Sequence, residues 1–365
     1  MECPRCGNQD QRYFYLGSKG YYCRKCVSYQ RFLINEPVPY YLPYHSENDN
    51  DYYLTFQLTK PQEVAINQIA TIAKNSNLVV YAACGAGKTE MMFPIIKNYL
   101  NSKKRVGFAI ARRQVVLELS ERFNKAFPNL KIVKVCQGYT KDTFGDLIIC
   151  TTHQLFRYYQ YFDLLIIDEP DAFPFKGDDI LHNIAKSSCK ERMIYLTATP
   201  EGELLKLPQV KLFQRPHQQP LPYPKVVVAP KLILLSKLSK FLRISQKALI
   251  FLPTINLVKF YSKLFGWPGL HSQSSQKEAI IDEFSKQKQG FLFCTSILER
   301  GVTFPKIDVC VLYADHIVFD LAALIQIAGR VGRDPSYPNG QVLFLALKKT
   351  FKVEQCLQQI NFMNA

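Results

Sequence analysis

Three clusters in this chain of 365 residues combine residue types and spacings that can do chemistry. The first is Cys3, Cys6, Cys23 and Cys26, two C-x2-C pairs with sixteen residues between them. Each pair turns tightly enough to aim both sulfurs at one ion, and this spacing is a zinc signature. Four thiolates close a tetrahedron and leave no open position, so the site is structural rather than catalytic. Zinc would also fold a stretch too small to build its own core. A pair of disulfides is the competing arrangement, which a reducing compartment disfavours. Arg5, Arg12, Lys19, Arg24, Lys25 and Arg31 interleave here with Tyr13, Phe14, Tyr15, Tyr21, Tyr22, Tyr29 and Phe32. Such a mixture either stacks on the bases of a single strand or forms the module's small core and its interface to the next domain. The sequence leaves both open.

The second cluster is AACGAGKT at 82–89, between an apolar strand-like run and the helix-like EMMFPIIKNYL. Ala82 stands where the usual phosphate loop has its first glycine, but Gly85, Ala86 and Gly87 keep the mechanical requirement. Backbone N–H groups curl around phosphate there, and the helix N-terminus adds partial positive charge. Lys88 reaches toward the β- and γ-phosphates, and the Thr89 hydroxyl is a Mg2+ ligand. DLLIIDEP at 163–170 supplies the acids. Asp168 ends the strand where it can hold the metal, and Glu169 is the candidate base that orients and deprotonates the attacking water. The chemistry is ATP hydrolysis.

The third cluster is QIAGRVGR at 326–333. Arg330 and Arg333 lie in an apolar, glycine-rich run, where a guanidinium is costly unless an anion meets it.

These clusters need elements to position them. Strand-like runs at 78–84, 105–111, 130–136, 146–151, 163–168 and 193–199 alternate with helix-like segments, and the alternation resumes beyond residue 225. That pattern predicts βαβ units and mostly parallel sheets. The expected fold is α/β: two tandem parallel-sheet domains preceded by a small four-cysteine zinc module. The expected divisions are a zinc module over 1–34, a linker over 35–54, an ATP-binding domain over 55–215 and a second domain over 216–365. Proline-rich LFQRPHQQPLPYPK at 212–225 reads as the link between domains. The remaining cysteines (Cys84, Cys136, Cys150, Cys189, Cys294, Cys310 and Cys356) are dispersed in apolar runs and read as buried small hydrophobes.

Lysine and arginine number 46 against 30 acidic residues, a net charge of +16 that favours a polyanionic partner. No apolar run is long enough to span a bilayer, and MECPRCG lacks a secretory core, so the expected location is the cytoplasm.

GAGKT, DEPD at 168–171, TAT at 197–199 and QIAGRVGR, in that order, resemble a superfamily 2 helicase. LTKPQ at 58–62, ARR at 111–113, TTHQL at 151–155, LIFLPT at 249–254 and TSILERGVTF at 295–304 fit the same pattern. A narrower resemblance rests on the four-cysteine module, DEPDAFPF at 168–175 and ILERGVTFPKIDV at 297–309. These are similar to the late-competence DNA-uptake ATPase family, ComFA, of transformable Gram-positive bacteria; Pro170 stands where that family is expected to have valine.

The resemblance implies that the two tandem parallel-sheet domains are RecA-like, and it implies roles by position. Gln62 would read the adenine edge, and Gly301 would approach the nucleotide. Thr197 and Thr199 would couple hydrolysis to domain movement. Arg112, Thr151, Thr152, Thr295 and Ser296 would lie near the nucleic-acid backbone. Arg330 and Arg333 become arginine fingers for the γ-phosphate bound at Lys88, with Gln326 at the reacting water or phosphate. Implied cofactors are ATP, Mg2+ and Zn2+. Implied partners are single-stranded DNA and competence proteins of the uptake machinery, which could hold the chain at the inner face of the membrane. A repair or replication-restart helicase and a zinc-anchored, nucleotide-gated scaffold are the alternatives.

Overall fold

The computed structural model describes residues 1–35, 37–39, 41, 51–299 and 302–365. Much of the expected linker, and Gly301, therefore lie outside the described residues. The chain divides into two units. The first is Met1–Ala82 with Gly87–Leu212; the second is Phe213–Ala365 with Ala83–Ala86.

The first unit opens with a hairpin, β1 (Phe14–Gly17) and β2 (Gly20–Cys23), paired antiparallel. Its main sheet then takes β3 (Leu78–Ala82), β4 (Val106–Ile110), β5 (Ile132–Val135), β6 (Leu147–Thr151), β7 (Phe162–Asp168), β8 (Cys189–Thr197) and β9 (Gln209–Leu212). Their order is β5-β6-β4-β7-β8-β3-β9, and every adjacent pair is parallel. Helices α1 (Lys60–Ile72), α2 (Lys88–Asn101), α3 (Arg113–Ala126) and α4 (Asp179–Ser188) connect the strands. A parallel sheet needs such crossovers, and helices on its faces bury its strands on both sides. That is why β3, β4, β6 and β7 read as continuous apolar runs and why every residue in them is buried.

The second unit repeats the plan. Strands β10 (Lys225–Val228), β11 (Lys247–Phe251), β12 (Gly269–Leu270), β13 (Gly290–Cys294), β14 (Asp308–Leu312) and β15 (Val342–Ala346) stand in the order β10-β15-β14-β11-β13-β12, again all parallel. Between and after them come α5 (Lys231–Ile244), α6 (Ile255–Phe265), α7 (Lys277–Lys286), α8 (Leu321–Ala328) and α9 (Phe351–Asn364). Leu234, Leu238 and Phe241 of α5 pack with Val258 and Tyr261 of α6 onto Ile250, Phe293, Cys310 and Leu345 of the sheet.

The expected α/β class and its two RecA-like sheets are therefore present. Three features had no counterpart in the sequence reading: the hairpin, the edge strand β9 and the very short β12. All are too short for a periodic apolar signal. Six of the seven dispersed cysteines are buried and Cys189 is partly so. Desolvation raises the thiols of Cys136, Cys150, Cys189, Cys294, Cys310 and Cys356, as expected of inert core residues.

Candidate functional site

In open parallel sheets, ligands gather at the carboxyl ends of strands. The first unit brings its motif residues there in register. Ile110 at the end of β4 lies beside Thr151 of β6 and Asp168 of β7, and Tyr81 of β3 lies beside Thr197 of β8. The phosphate loop leaves β3 through Gly85 and Gly87, both left-handed at φ 83° and 78°. At Gly87 the left-handed backbone disfavours a side chain, and an added Cβ, 2.4 Å from Gln62 Nε2, would push that amide aside. Lys88 opens α2, and its Nζ donates to the Ala82 carbonyl at 3.3 Å, over the loop. Thr89 is buried in the first turn. Ala82, in place of the usual glycine, is the last residue of β3 and fully buried; the turn begins only after it.

Gln62 is held rather than loose. Its Oε1 accepts from the Thr59 backbone N–H at 2.9 Å and the Thr59 hydroxyl at 3.1 Å, a capping arrangement that fixes the start of α1. The same residue thus caps a helix and touches the phosphate loop.

The acidic turn holds a residue that the sequence reading did not single out. Asp171, buried, accepts from the hydroxyls of Thr197 at 2.8 Å and Thr199 at 2.9 Å. Thr199 N–H donates in turn to the Thr197 hydroxyl at 2.9 Å. DEPD and TAT are therefore one hydrogen-bonded unit, with Asp168 and Glu169 at one end of it. Glu169 takes φ 55° and donates its N–H to the Leu196 carbonyl at 2.9 Å. Pro170, which has no N–H to give, leaves that anchor intact. The signal was available: an acid one residue past the Asp-Glu-Pro turn, with two threonines ending the neighbouring strand. Arg122 of α3 also pairs with Glu90, the residue after Thr89.

Of the residues assigned to a nucleic-acid backbone, Arg112 stands just before α3 and is half-buried, as are Thr295 and Ser296 after β13. Thr151 and Thr152 are buried, Thr152 to 1% exposure.

In the second unit, Gln326 is buried on α8 and the helix ends at Ala328. Arg330 is 2% exposed and donates to the Val302 carbonyl. Arg333 is half-exposed; its Nε donates to the Gly329 carbonyl at 3.0 Å and its Nη1 to the Thr303 hydroxyl at 3.5 Å. The segments around 302–303 and 326–333, distant in sequence, are thus side by side. A third guanidinium holds this turn. Arg215, 1% exposed, donates to the carbonyls of Val331 and Gly332 at 2.9 Å and of Gly329 at 3.1 Å. Burial, and then the neighbouring Arg333 charge, lower its pKa to about 10. The expected division ends the first domain at Arg215, inside the proline-rich link. In the structure it falls in the second unit, where its side chain holds the arginine turn.

The four thiols of the N-terminal module lie within 4.8 Å of one another, all buried. Cys3 and Cys26 sulfurs are 3.8 Å apart, as are those of Cys6 and Cys23. A disulfide would need about 2.05 Å. Corners of a tetrahedron with Zn–S near 2.3 Å stand roughly 3.8 Å apart, so the donor set fits zinc. Arg5, buried, donates to the Cys26 sulfur at 3.2 Å and to the carbonyls of Cys26, Tyr29 and Gln30. The module rests on the first unit's own elements. Asn183 of α4 donates to the Cys6 carbonyl at 3.0 Å, Tyr29 stacks on His153 and Phe32 meets Tyr159 edge-on.

Two family models match the chain: "Type III restriction enzyme, res subunit" over residues 55–202, and "Helicase conserved C-terminal domain" over 231–335. Competence protein ComFA of Bacillus subtilis (strain 168) is 34% identical, the match covering 99% of this chain and 85% of that protein. Its counterpart in Streptococcus pneumoniae (strain ATCC BAA-255 / R6) is 33% identical over 99% of this chain and 90% of its own. Among solved structures, S. cerevisiae Dbp5 bound to RNA and ADP BeF3 superposes with a TM-score of 0.62 at 17% identity, covering 84% of this chain and 88% of that one, a likeness of fold alone. Among the described residues, no helix is long and apolar enough to cross a membrane. With helicase models matching both units and competence proteins matching along nearly its whole length, the chain belongs to the ComFA family and is an ATP-dependent helicase or translocase of superfamily 2.

Proposed function

We propose that this ATPase is a motor on single-stranded DNA that powers uptake of transforming DNA during natural competence. The observation that carries the reading is the near-complete match to two competence proteins, in a chain whose two sheets each present helicase motifs at their strand ends. The net charge of +16 supplies the long-range attraction a polyanionic track requires.

In the proposed cycle, Lys88 and the loop N–H groups bind the β- and γ-phosphates, and Gln62 selects adenine. Thr89 and Asp168 offer hydroxyl and carboxylate oxygens, the donor types Mg2+ takes; the ion, when bound, neutralises phosphate charge. Glu169 orients a water whose oxygen attacks the γ-phosphorus. The bond to the β-phosphate oxygen breaks, ADP leaves, and the water's proton passes to Glu169. Arg330 and Arg333 stabilise charge spread over the γ-phosphoryl oxygens, and Gln326 acts at the reacting water or phosphate. The Asp171–Thr197–Thr199 unit ties the acidic turn to the end of β8, so a change at the phosphate is felt there. Arg112, Thr151, Thr152, Thr295 and Ser296 contact the strand's backbone; buried Thr152 contributes main-chain groups. Zinc at Cys3, Cys6, Cys23 and Cys26 holds the N-terminal module folded. Protein partners at the uptake machinery bring the motor to the membrane's inner face.

The decisive experiment measures ATP turnover alone and with single-stranded DNA, duplex DNA and RNA. Strong stimulation by single-stranded DNA, with directional displacement of a bound streptavidin block, is expected. Preference for RNA, or stimulation without movement, overturns the reading. For the zinc module, Cys23→Ser is expected to release the metal and melt residues 1–34 locally. Unchanged metal content would remove zinc from the account.

A further inference from the structure

The zinc module has two aromatic populations, and the structure separates them. Tyr29 and Phe32 face the first unit through His153, Phe156 and Tyr159. The hairpin divides the rest by strand alternation. Phe14 of β1 and Cys23 of β2 are opposite one another in register and lie on the zinc side, where Phe14 packs against the cysteines. Tyr15 and Tyr22 form the next pair, so both point to the other face, away from the metal.

That outer face has an organised composition. Tyr15 is 51% exposed and Tyr13, just before the strand, 40%. Each tyrosine on it carries a cation over its ring: Lys25 over Tyr13 at 5.8 Å, Arg24 over Tyr15 at 5.7 Å and Arg31 over Tyr22 at 4.6 Å. Tyr15 and Tyr22 meet edge to face at 5.6 Å. Gly17 lies beside the Tyr22 ring, and a Cβ there would be 3.2 Å from it, so the small residue leaves the ring its place. Residues 1–35 carry two carboxylates, and one of them, Asp10, is engaged by Arg12.

A protein-docking face is expected to be apolar at its centre with charge at the rim. Here cation and aromatic alternate ring by ring, with the charge over the rings themselves. That arrangement matches a chain whose own units alternate flat aromatic groups with monoanions, which is single-stranded nucleic acid. We infer that the outer face of the hairpin, Tyr13, Tyr15 and Tyr22 with Lys25, Arg24 and Arg31, is a second single-strand binding site. Bases stack on the tyrosine rings and guanidinium planes, while phosphates pair with the cations. The inference rests on the proposed single-stranded DNA substrate and adds a contact that the helicase motifs do not supply. It also gives the zinc a purpose: the ion holds a reading face rigid from behind without touching the strand.

The test uses the full-length zinc-loaded protein and fluorescent oligo(dT), with a matched abasic strand as the probe for stacking. Tyr15→Ala is expected to weaken binding of oligo(dT) about tenfold, the usual order for one lost base–aromatic stack. Tyr15→Trp retains it, and the abasic strand, already weak, loses little more. Zinc content and melting temperature of each variant, measured in parallel, report whether the module stays folded. Should Tyr15→Ala lose its zinc, Tyr13→Ala is read instead, since Tyr13 precedes the strand pairing. Wild-type affinity for oligo(dT) in the zinc-loaded Tyr variants overturns the inference, and so does an equal loss on normal and abasic strands. Absence of binding by the wild-type protein would instead overturn the proposed substrate.

Discussion

The phosphate loop that follows β3 and the turn that carries Arg330 and Arg333 are built by different means. The loop is assembled from neighbours: a buried strand, two left-handed glycines and a helix N-terminus, all within 78–101. Its outside supports are Gln62, itself part of a helix cap, and Arg215, whose Nε donates to the Cys84 carbonyl at 3.0 Å. The arginine turn is held by groups far away in sequence. Arg215 grips three of its carbonyls from more than a hundred residues upstream, and Val302 and Thr303 receive its two arginines. Short-range geometry is written in motifs, whereas a turn held by a remote cation shows only its functional half.

The largest effect expected is at the exposed end of that turn. Arg333→Ala should cut turnover by on the order of 10³ or more while ATP affinity stays within a few fold, because a finger acts on transition-state charge. Unaffected turnover would reduce Arg333 to the two hydrogen bonds it makes here. On the other side, Glu169→Gln should bind ATP and DNA and turn over about 10² to 10⁴ times more slowly. Full activity would leave the acidic turn without its base.

These two effects come from residues legible in the sequence, and the reason is physical. Lys88, Asp168, Glu169 and Arg333 carry charge next to apolar or glycine-rich runs, where charge is conspicuous. So were the four cysteines, and so were the strands of both sheets, whose double burial erases polar alternation. Asp171 and Arg215 were hidden by their surroundings. Asp171 sat beside two better-known acids, and Arg215 sat in a proline-rich stretch that reads as a link. The hairpin was hidden because four-residue strands show no period, so the aromatic residues around the zinc could not be sorted by face.

Arg215 sharpens the comparison at intermediate magnitude. A lysine there keeps the charge but offers one ammonium where a planar guanidinium bridges four carbonyls, those of Cys84, Gly329, Val331 and Gly332. Arg215→Lys is therefore expected to lower turnover about tenfold with little change in the ATP requirement, the signature of a group that positions Arg333. In an Arg333→Ala background the same change should cost almost nothing more, since neighbours acting through one another are not additive. Additive losses would show that Arg215 supports the fold of the second unit in general.

The smallest effect belongs to Asp171, the first unit's counterpart to Arg215. Its carboxylate accepts from two buried hydroxyls, and an asparagine would accept from one while its amide must turn toward the other. Asp171→Asn is expected to destabilise the first unit by about 1–2 kcal/mol, the usual scale of a buried charge-assisted hydrogen bond, read as a lower denaturation midpoint. Nucleic-acid stimulation of turnover should fall more steeply than that midpoint if the acidic turn and β8 move as one. A variant with the lowered midpoint and wild-type stimulation would mean that both units hold their catalytic turns rigid, the first through Asp171 and the second through Arg215, and that the motion lies elsewhere.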